Sequence, residues 1–429
     1  MADPARPFSF PSYRYYWLAR FSSTLALNGM VVVIGWQVYD VARRTMPPRE
    51  AALQLGMIGL IQFLPLMLLT LVTGLTADRV DRRWIARATA MLELLCALAL
   101  ALMTWFDTIS LPALFVVAAL LGVARAFAMP ALQALSPNLV PKEVLPAAIA
   151  VSSFAWQIGA IAGPPLGGYL YAIHPPLAYT VSAGLLAFAT LMLMLIGPVP
   201  RTAIAGSRNP WAQMLEGVSY LRRNRLVLGA ISLDLFAVLL GGATAMLPIY
   251  ARDILHVGSS GLGHLRAAPA IGAALVAIAL SGWPLRSNVG FKLLVAVAIF
   301  GAATILFGIS YRFPDPMALS LACLSLLGAA DMVSVYVRQT LIQLYTPDEM
   351  RGRVGAVSTL FISGSNELGE AESGFLAALV GPVTAVVAGG IGTIMIAVLW
   401  ARLFPEILRA RTFDPPTSFE NVPGQEKTA

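Results

Sequence analysis

The chain is poor in charge, in cysteine and in histidine. Of its 429 residues, 12% are charged and 58% are hydrophobic, whereas about a quarter of the residues in a soluble domain are charged. Its two cysteines, Cys96 and Cys323, both lie within apolar runs. This composition excludes a soluble globular enzyme, a disordered chain and a disulfide-stabilised secreted domain, and the cysteines indicate neither a disulfide framework nor a Cys-based metal site.

Sequence motifs of catalysis and of nucleotide binding are also absent. No GxxxxGK[ST] phosphate loop, no HExxH pair and no GxSxG nucleophile turn occurs in the chain. We therefore expect neither an enzyme nor a protein that uses ATP, a metal or another cofactor. The net charge of +7 comes from basic residues in short loops, which is a signal of membrane topology rather than of nucleic-acid binding.

Long apolar runs dominate what remains. Twelve runs of 18 or more residues alternate with polar breaks, and each is long enough to cross a bilayer as a helix. The longest break, Pro200 to Arg225, divides them into six and six. This predicts an all-α membrane protein of twelve transmembrane helices in two pseudo-symmetric six-helix bundles. The predicted units are a first bundle at 1–199, a cytoplasmic central loop at 200–225, a second bundle at 226–408 and a disordered cytoplasmic tail at 409–429.

The basic residues predict the orientation. Twenty-two Lys and Arg residues, among them Arg338 in the loop before Arg353, fall on the side of the termini. Six, among them Arg266, fall in the loops of the opposite side. Because basic loops stay in the cytoplasm, both termini are expected there in a multi-pass protein. The segment that contains Arg43, Arg44 and Arg49 is the exception to this pattern.

An internal repeat supports the division into halves. When the chain is shifted by 206 residues, thirteen of fifty positions are identical between 121–170 and 327–376, including matched Gly, Pro and Gln residues. Parallel repeats of this kind build many transporters. The shift places Arg125 opposite Asp331 at a matched depth, either as a pair across one cavity or separated by substrate.

The same shift places Asn28 opposite Asp234, in a region where an insertion weakens the alignment.

Two motifs stand at defined places relative to the apolar runs. The break after the second run has a glycine, an acid and arginines at characteristic spacing: Gly74, Asp78, Arg79, Arg82 and Arg83. The fifth run carries closely spaced glycines and a proline: Gly159, Gly163, Pro164, Gly167 and Gly168. The first motif resembles the signature loop of the major facilitator superfamily, and the second resembles its exporter motif. Within the superfamily, the chain is similar to the enterobactin-exporter-like branch.

The resemblance implies a mechanism for each motif. The first would be a cytoplasmic gating loop that clamps the two halves. The second would be a hinge in the fifth helix, because glycines let helices approach closely and proline permits a kink. A tight static helix crossing is the alternative.

The resemblance also implies a function. We expect a secondary active transporter in the bacterial inner membrane, an antiporter that exports a small organic molecule against protons by alternating access. A siderophore is the first substrate hypothesis, and a hydrophobic drug, as in drug-resistance efflux, is the second. A lysophospholipid or lipid flippase and an importer of the same fold remain alternatives. The expected partners are the substrate, protons and the bilayer, without nucleic acid, and we expect a monomer.

Polar residues inside the membrane are costly and are therefore functional candidates. The candidates for proton coupling or substrate binding are Arg125, Asp234, Asp331, Glu367, Glu370, Asn28, Gln37 and Gln157. For each charged candidate, a fixed hydrogen bond or salt bridge within the protein is the alternative, while Asn28, Gln37 and Gln157 could line the transport path. Asp331 is a proton site or only neutralises Arg125 or Arg338. Glu367 and Glu370 share a helix face, and such close acids couple their titrations.

Overall fold

The computed structural model describes residues 7–79, 81–141, 143–198 and 210–413. Within them it describes the backbone alone at residues 66, 70–79, 134, 146, 210–215, 348–349, 351–352, 356, 359–360, 363 and 367.

The first half of the chain forms six long helices joined by short connections. They are α1 (Pro11–Arg43), α2 (Pro48–Arg79), α3 (Arg82–Trp105), α4 (Leu111–Leu135), α5 (Leu145–Ile173) and α6 (Pro175–Met194). Five of them have a proline at a first helical position or just inside it, where the missing N–H costs no hydrogen bond. α3 instead begins at an aspartate cap, because the side chain of Asp81 accepts from the backbone N–H of Arg83.

The second half contains six crossings and three shorter helices. They are α7 (Pro210–Arg223), α8 (Arg225–Leu240), α9 (Leu247–Ile249), α10 (Gly258–Gly282), α11 (Val289–Gly308), α12 (Pro316–Tyr345), α13 (Asp348–Val380), α14 (Pro382–Leu403) and α15 (Pro405–Arg409). The seventh crossing is discontinuous. After α8, a 3₁₀ turn at Ala243–Met246 leads to α9, and a π turn follows at Tyr250–Ile254.

The described secondary structure is entirely helical, which confirms the predicted fold class. In the described part of the chain, eleven helical segments are long and apolar enough to cross a membrane. The twelfth long helix is α13, whose 33 residues span about 50 Å. Its five acids, Asp348, Glu349, Glu367, Glu370 and Glu372, make it less apolar than the other eleven.

The predicted central loop is partly helical. α7 carries Arg222 and Arg223 in its last turn, where cations favour the helix dipole. It packs on α13, with a Glu216 to Arg353 ion pair of 2.6 Å. A break in hydropathy predicts the end of a membrane span, but an amphipathic surface helix can follow that end directly.

The first residues of the predicted tail pack against the second half. α15 packs into the core of the second half through Ile407, and the backbone N–H of Gly290 donates to the carbonyl oxygen of Ala410 at 3.0 Å. Residues 414–429, most of the predicted tail, lie outside the described residues.

Equivalent glycines make equivalent helix crossings in the two halves. A Cβ atom on Gly122 of α4 would lie 2.5 Å from the carbonyl oxygen of Gln62 in α2. A Cβ atom on Gly328 of α12 would lie 2.5 Å from the carbonyl carbon of Pro269 in α10. The structure therefore confirms the internal repeat over these helices.

The predicted match of Asn28 with Asp234 is wrong by about one helical turn. Gly163 of α5 contacts α1 at Asn28, where a Cβ atom would lie 2.8 Å from the Asn28 Cβ. Its repeat partner Gly369 contacts α8 at Val238, 2.9 Å from the carbonyl oxygen. Val238 is 210 positions after Asn28, rather than 206, because the two halves differ in length before this crossing.

Candidate functional site

The two halves meet at one face of the membrane bundle. We call the face where α1 begins and α14 ends the terminal face, and the opposite face the distal face. Near the distal face, a Cβ atom on Gly56 of α2 would lie 2.8 Å from the Cα atom of Gly374 in α13. A Cβ atom on Gly263 of α10 would lie 2.7 Å from the carbonyl oxygen of Pro164 in α5. Small residues thus let the halves touch backbone to backbone at this end.

The same helices carry exposed side chains towards the terminal face. On α5, Phe154 is 66% exposed and Trp156 is 52% exposed. On α10, Leu275 and Ile278 are exposed, while Leu262 and Leu265 nearer the distal face are buried.

At about the middle of the bundle, the side chain of Gln157 donates to the carbonyl oxygen of Ala270 at 3.3 Å, across the two halves. Gln157, one of the predicted polar candidates, therefore lies at the contact between the halves. It is on the distal side of the exposed residues named above on α5 and α10.

A buried ion pair lies inside the second half. Asp234 of α8 pairs with Arg338 of α12, and these residues are 4% and 2% exposed. Burying either charge alone would be strongly unfavourable, so the pair is a structural requirement of this arrangement. The Nε atom of Arg338 is also buried and has no hydrogen-bond partner among the described residues.

Asp331 lies beside this pair. Asp331, Ser334 and Arg338 follow one another at helical spacing along one face of α12. Asp331 and Asp234 line the same small pocket of about 10 Å³, which has space for about one water molecule. The remaining walls come from α11 and apolar residues of α8 and α12: Ala237, Val238, Ala296, Val297, Phe300 and Ala330, with Ser334.

The charge balance of this group determines what it can do. One arginine compensates one carboxylate, so Asp234, Asp331 and Arg338 together are neutral when they hold one proton. Without that proton they carry a net charge of −1 in a region of low dielectric constant. Such a group can bind and release a proton, with little space for a larger ligand.

The arrangement favours Asp331 as a proton site over Asp331 as the residue that neutralises Arg125. Because its pocket is built from α8, α11 and α12, Asp331 faces the interior of the second half rather than Arg125. Arg125 lies on α4, three residues after Gly122, and its side chain is exposed.

Glu370 pairs with Arg266 of α10, which also contacts the discontinuous seventh crossing. Arg266 of α10 lies 3.5 Å from the Glu370 carboxylate and donates to the carbonyl oxygen of Thr244 at 3.0 Å. The sequence analysis counted Arg266 with a loop, but it lies inside α10. The Glu367 side chain lies outside the described residues, so its shared face with Glu370 stays a prediction.

Two predicted candidates are hydrogen-bonded within the first half. Asn28 donates to the carbonyl oxygen of Thr24 at 2.8 Å. Gln37 is buried, accepts from the Tyr179 hydroxyl at 2.7 Å and donates to Thr104 at 3.2 Å. These hydrogen bonds hold Gln37 within the first half, and its role in substrate binding stays a prediction.

The predicted gating loop is almost entirely helical. α2 continues through Gly74 and Asp78 to Arg79, and α3 begins at Arg82. A turn this short is possible because the Asp81 side chain caps α3, with a 2.6 Å ion pair to Arg83. The side chains at 74, 78 and 79 lie outside the described residues, so gating by this motif stays a prediction.

The predicted hinge in the fifth helix forms close crossings. α5 is helical from Leu145 to Ile173, through Pro164. Gly159, Gly163 and Gly167 contact α1, and Gly168 contacts α10. The structure thus shows the tight crossing that was the alternative to a hinge, and bending at this motif stays a prediction.

Arg338 is the residue that the sequence analysis assigned wrongly. It was counted among the basic residues of the loop before Arg353, but it lies seven residues before the end of α12. Its position seven residues after Asp331 was the available signal, because that spacing returns to the same helix face.

Two halves of six membrane-crossing helices, with a buried ion pair inside the second half, are the architecture of a transporter. A family model described as Major Facilitator Superfamily matches residues 16–369. The protein therefore belongs to the major facilitator superfamily and is a multi-pass membrane transporter.

Relatives of known function fall within the same superfamily. The chain is 28% identical over 411 residues to the enterobactin exporter EntS of Escherichia coli O1:K1 / APEC, with 94% of each chain covered. The inward-open xylose transporter XylE from E. coli has a TM-score of 0.68 at 14% identity, covering 93% of this chain and 99% of XylE. A mutant form of the nucleoside transporter NupG has a TM-score of 0.70 at 12% identity, covering 92% of this chain and 100% of NupG.

Proposed function

We propose that the protein exports a small organic molecule across the bacterial inner membrane in exchange for protons. The observation that carries this proposal is the group of Asp234, Asp331 and Arg338, in which Arg338 pairs with Asp234 and Asp331 lines the same small pocket as Asp234. A proton-driven transporter needs a membrane-buried site that is stable in both protonation states and that changes charge between them. This group fulfils that requirement within a single half of the molecule.

The terminal face is proposed to be cytoplasmic, since most basic residues outside the helix cores lie on that side. With this orientation, the glycine contacts close the periplasmic end, and we infer that the exposed residues of α5 and α10 towards the terminal face border a cytoplasmic cleft. The conformation is then inward-open, the state in which an exporter takes up its substrate.

Protonation couples to the conformational change through the net charge of the group. The neutral, singly protonated group is cheaper to enclose than the form with a charge of −1. Asp234 and Arg338 are buried in this conformation, so proton uptake from the periplasm and proton release to the cytoplasm each require a state that admits water to the group. A proton can shift this equilibrium only by the difference in its affinity for the two states.

We propose a siderophore of the catecholate type as the substrate, by similarity to the enterobactin exporter. Arg125 supports an anionic substrate, because its exposed side chain lies on α4 of the half that lacks the buried acid pair. A lipophilic cation such as a drug would instead use an acid of the second half.

The substrate is tested by mass spectrometry of culture media from strains with and without the gene, under iron limitation and iron sufficiency. We expect a catechol-bearing compound to be missing from the medium of the deletion strain and retained in its cells. The wild-type gene and the control variant Arg286→Ala, which changes an exposed loop arginine, should restore secretion, and Arg125→Ala should not. Identical media profiles would exclude siderophore export and leave a drug or lipid substrate to be tested by dye accumulation.

A further inference from the structure

We propose that five side chains at the distal face form a latch that holds the two halves closed and exchanges partners when they separate. The latch consists of Tyr39, Asp40 and Arg43 from the end of α1, and Arg252 and Asp253 from the π turn after α9. It lies outside the buried proton group and outside both recognised sequence motifs.

Two ion pairs cross between the halves in opposite senses. Arg252 of the second half lies 2.7 Å from Asp40 of the first half. Arg43 of the first half donates to Asp253 of the second half at 3.3 Å, and the Tyr39 hydroxyl donates to the same carboxylate at 2.6 Å.

Each half therefore presents one acid and one base to the other. The glycine contacts nearby bring the halves together without regard to charge, whereas this pattern fixes their register.

The local backbone explains why one segment supplies two adjacent partners. On a regular α-helix, neighbouring residues point about 100° apart. Tyr250–Ile254 is instead a π turn, closed by a 2.7 Å bond from the Leu255 N–H to the Tyr250 carbonyl oxygen. In this wider turn, the side chains of Arg252 and Asp253 both contact α1. Turns of this type occur preferentially at functional sites.

Each acid of the latch also has a second arginine within its own half. Asp40 lies 3.7 Å from Arg44, four residues later on α1. Asp253 lies 3.8 Å from the neighbouring Arg252. When the halves separate, each carboxylate can keep an arginine of its own half, so opening leaves no acid uncompensated. A purely static contact between the halves would not need these secondary partners.

The burial of the latch suits a contact that must open. The side chains of Arg43, Asp253, Arg252 and Asp40 are between 25% and 30% exposed. Ion pairs that remain partly in water are of modest strength, in contrast to the buried pair of Asp234 and Arg338. The latch also accounts for Arg43 and Arg44 on the side where basic residues are otherwise few.

The inference rests on the proposed alternating access, and its test measures the distance between the halves without any substrate. Spin labels are placed on cysteines introduced at Thr108 of the first half and Arg312 of the second, which are both exposed at the distal face. The native Cys96 and Cys323 are buried and are replaced by alanine. Distance distributions are then recorded on the full-length protein in lipid nanodiscs.

We expect the reversal Asp40→Arg to lower the ratio of distally closed to distally open molecules about ten-fold, equivalent to about 1.4 kcal/mol. The exchanged pair Asp40→Arg/Arg252→Asp should recover part of the closed population, because it restores the ion pair between the halves but places like charges beside Arg44 and Asp253. Tyr39→Phe, which removes one hydrogen bond and no charge, should produce a smaller shift in the same direction. Glu50→Gln is the control, because Glu50 is an exposed acid at the same face outside the latch.

The proposal is overturned if Asp40→Arg and Tyr39→Phe both give the wild-type distribution. It is also overturned if the exchanged pair is as open as the single reversal while its thermal unfolding matches wild type. A failure of the proposed export function would appear in the secretion assay and leave these distances unaffected, so the two failures can be told apart.

Discussion

The two halves of this transporter repeat their packing but not their charges. Gly122 and Gly328 make the same helix crossing in α4 and α12. In contrast, Leu132 of the first half corresponds to Arg338 of the second, and Pro164 corresponds to Glu370. A shared scaffold therefore carries the buried ion group in one half only. This difference indicates that the fold sets the helix crossings, while a few polar residues place the Asp234–Arg338 ion pair in the second half.

Breaking the buried ion pair tests this asymmetry with the largest expected effect. Arg338→Ala leaves Asp234 buried without its cation, and we expect the free energy of unfolding in detergent to fall by about 3–5 kcal/mol. The double variant Asp234→Leu/Arg338→Met removes both charges and should return to within about 1 kcal/mol of wild type. Equal loss in the single and double variants would contradict the role of charge compensation.

Matched glycine substitutions test the shared part of the comparison. Gly122→Val and Gly328→Val each place a branched side chain against the backbone of the crossing helix. We expect both to lower the unfolding free energy by about 1–3 kcal/mol, and by similar amounts, because overpacking forces the helices apart. If chemical denaturation shows that only one half is affected, the two crossings are not equivalent.

A tyrosine of the first half tests whether its buried polar residues are structural. Tyr179→Phe leaves the buried Gln37 carbonyl without the hydroxyl that donates to it at 2.7 Å. The expected loss in unfolding free energy is about 1–2 kcal/mol, with transport activity retained per folded molecule. A variant of normal stability that no longer transports would instead make Gln37 a substrate residue.

Substitution of Glu370, the acid of the second half that pairs with Arg266, should have the smallest effect on stability. Glu370 and Arg266 are separated by 3.5 Å and their side chains are 29% and 27% exposed. Glu370→Gln is therefore expected to change the unfolding free energy by about 1 kcal/mol or less. A loss comparable to that of Arg338→Ala would show that the two ion pairs are energetically alike.

Much of the fold could be predicted from the sequence, since apolar length defines membrane helices and glycine spacing defines close crossings. The repeat was visible for α4, α5, α12 and α13 because their glycines and prolines are retained. It failed at Asn28, where a change in chain length shifts the register by a turn. The amphipathic α7 was missed because the hydropathy of the chain falls at its start.

The candidate site was predicted only in part. Asp234 and Asp331 were identified from the cost of burying charge. The hydropathy pattern placed Arg338, the partner of Asp234, in a loop, because helix ends cannot be located from hydropathy to within two turns. The latch was missed for a different reason. Arg43 and Asp253 are 210 residues apart, and their contact depends on how two rigid halves dock, which no local pattern encodes.

The central claim is that Asp234, Asp331 and Arg338 couple transport to protons, and Asp331→Asn tests it most directly. This variant keeps the Asp234–Arg338 ion pair and should therefore fold. Purified wild-type and variant proteins are reconstituted into vesicles, and enterobactin uptake is measured with an imposed pH gradient and, separately, as exchange without one.

We predict that both proteins exchange the compound equally and that only the wild type accumulates it when the gradient is applied. Gradient-driven accumulation by Asp331→Asn at the wild-type level would contradict the account.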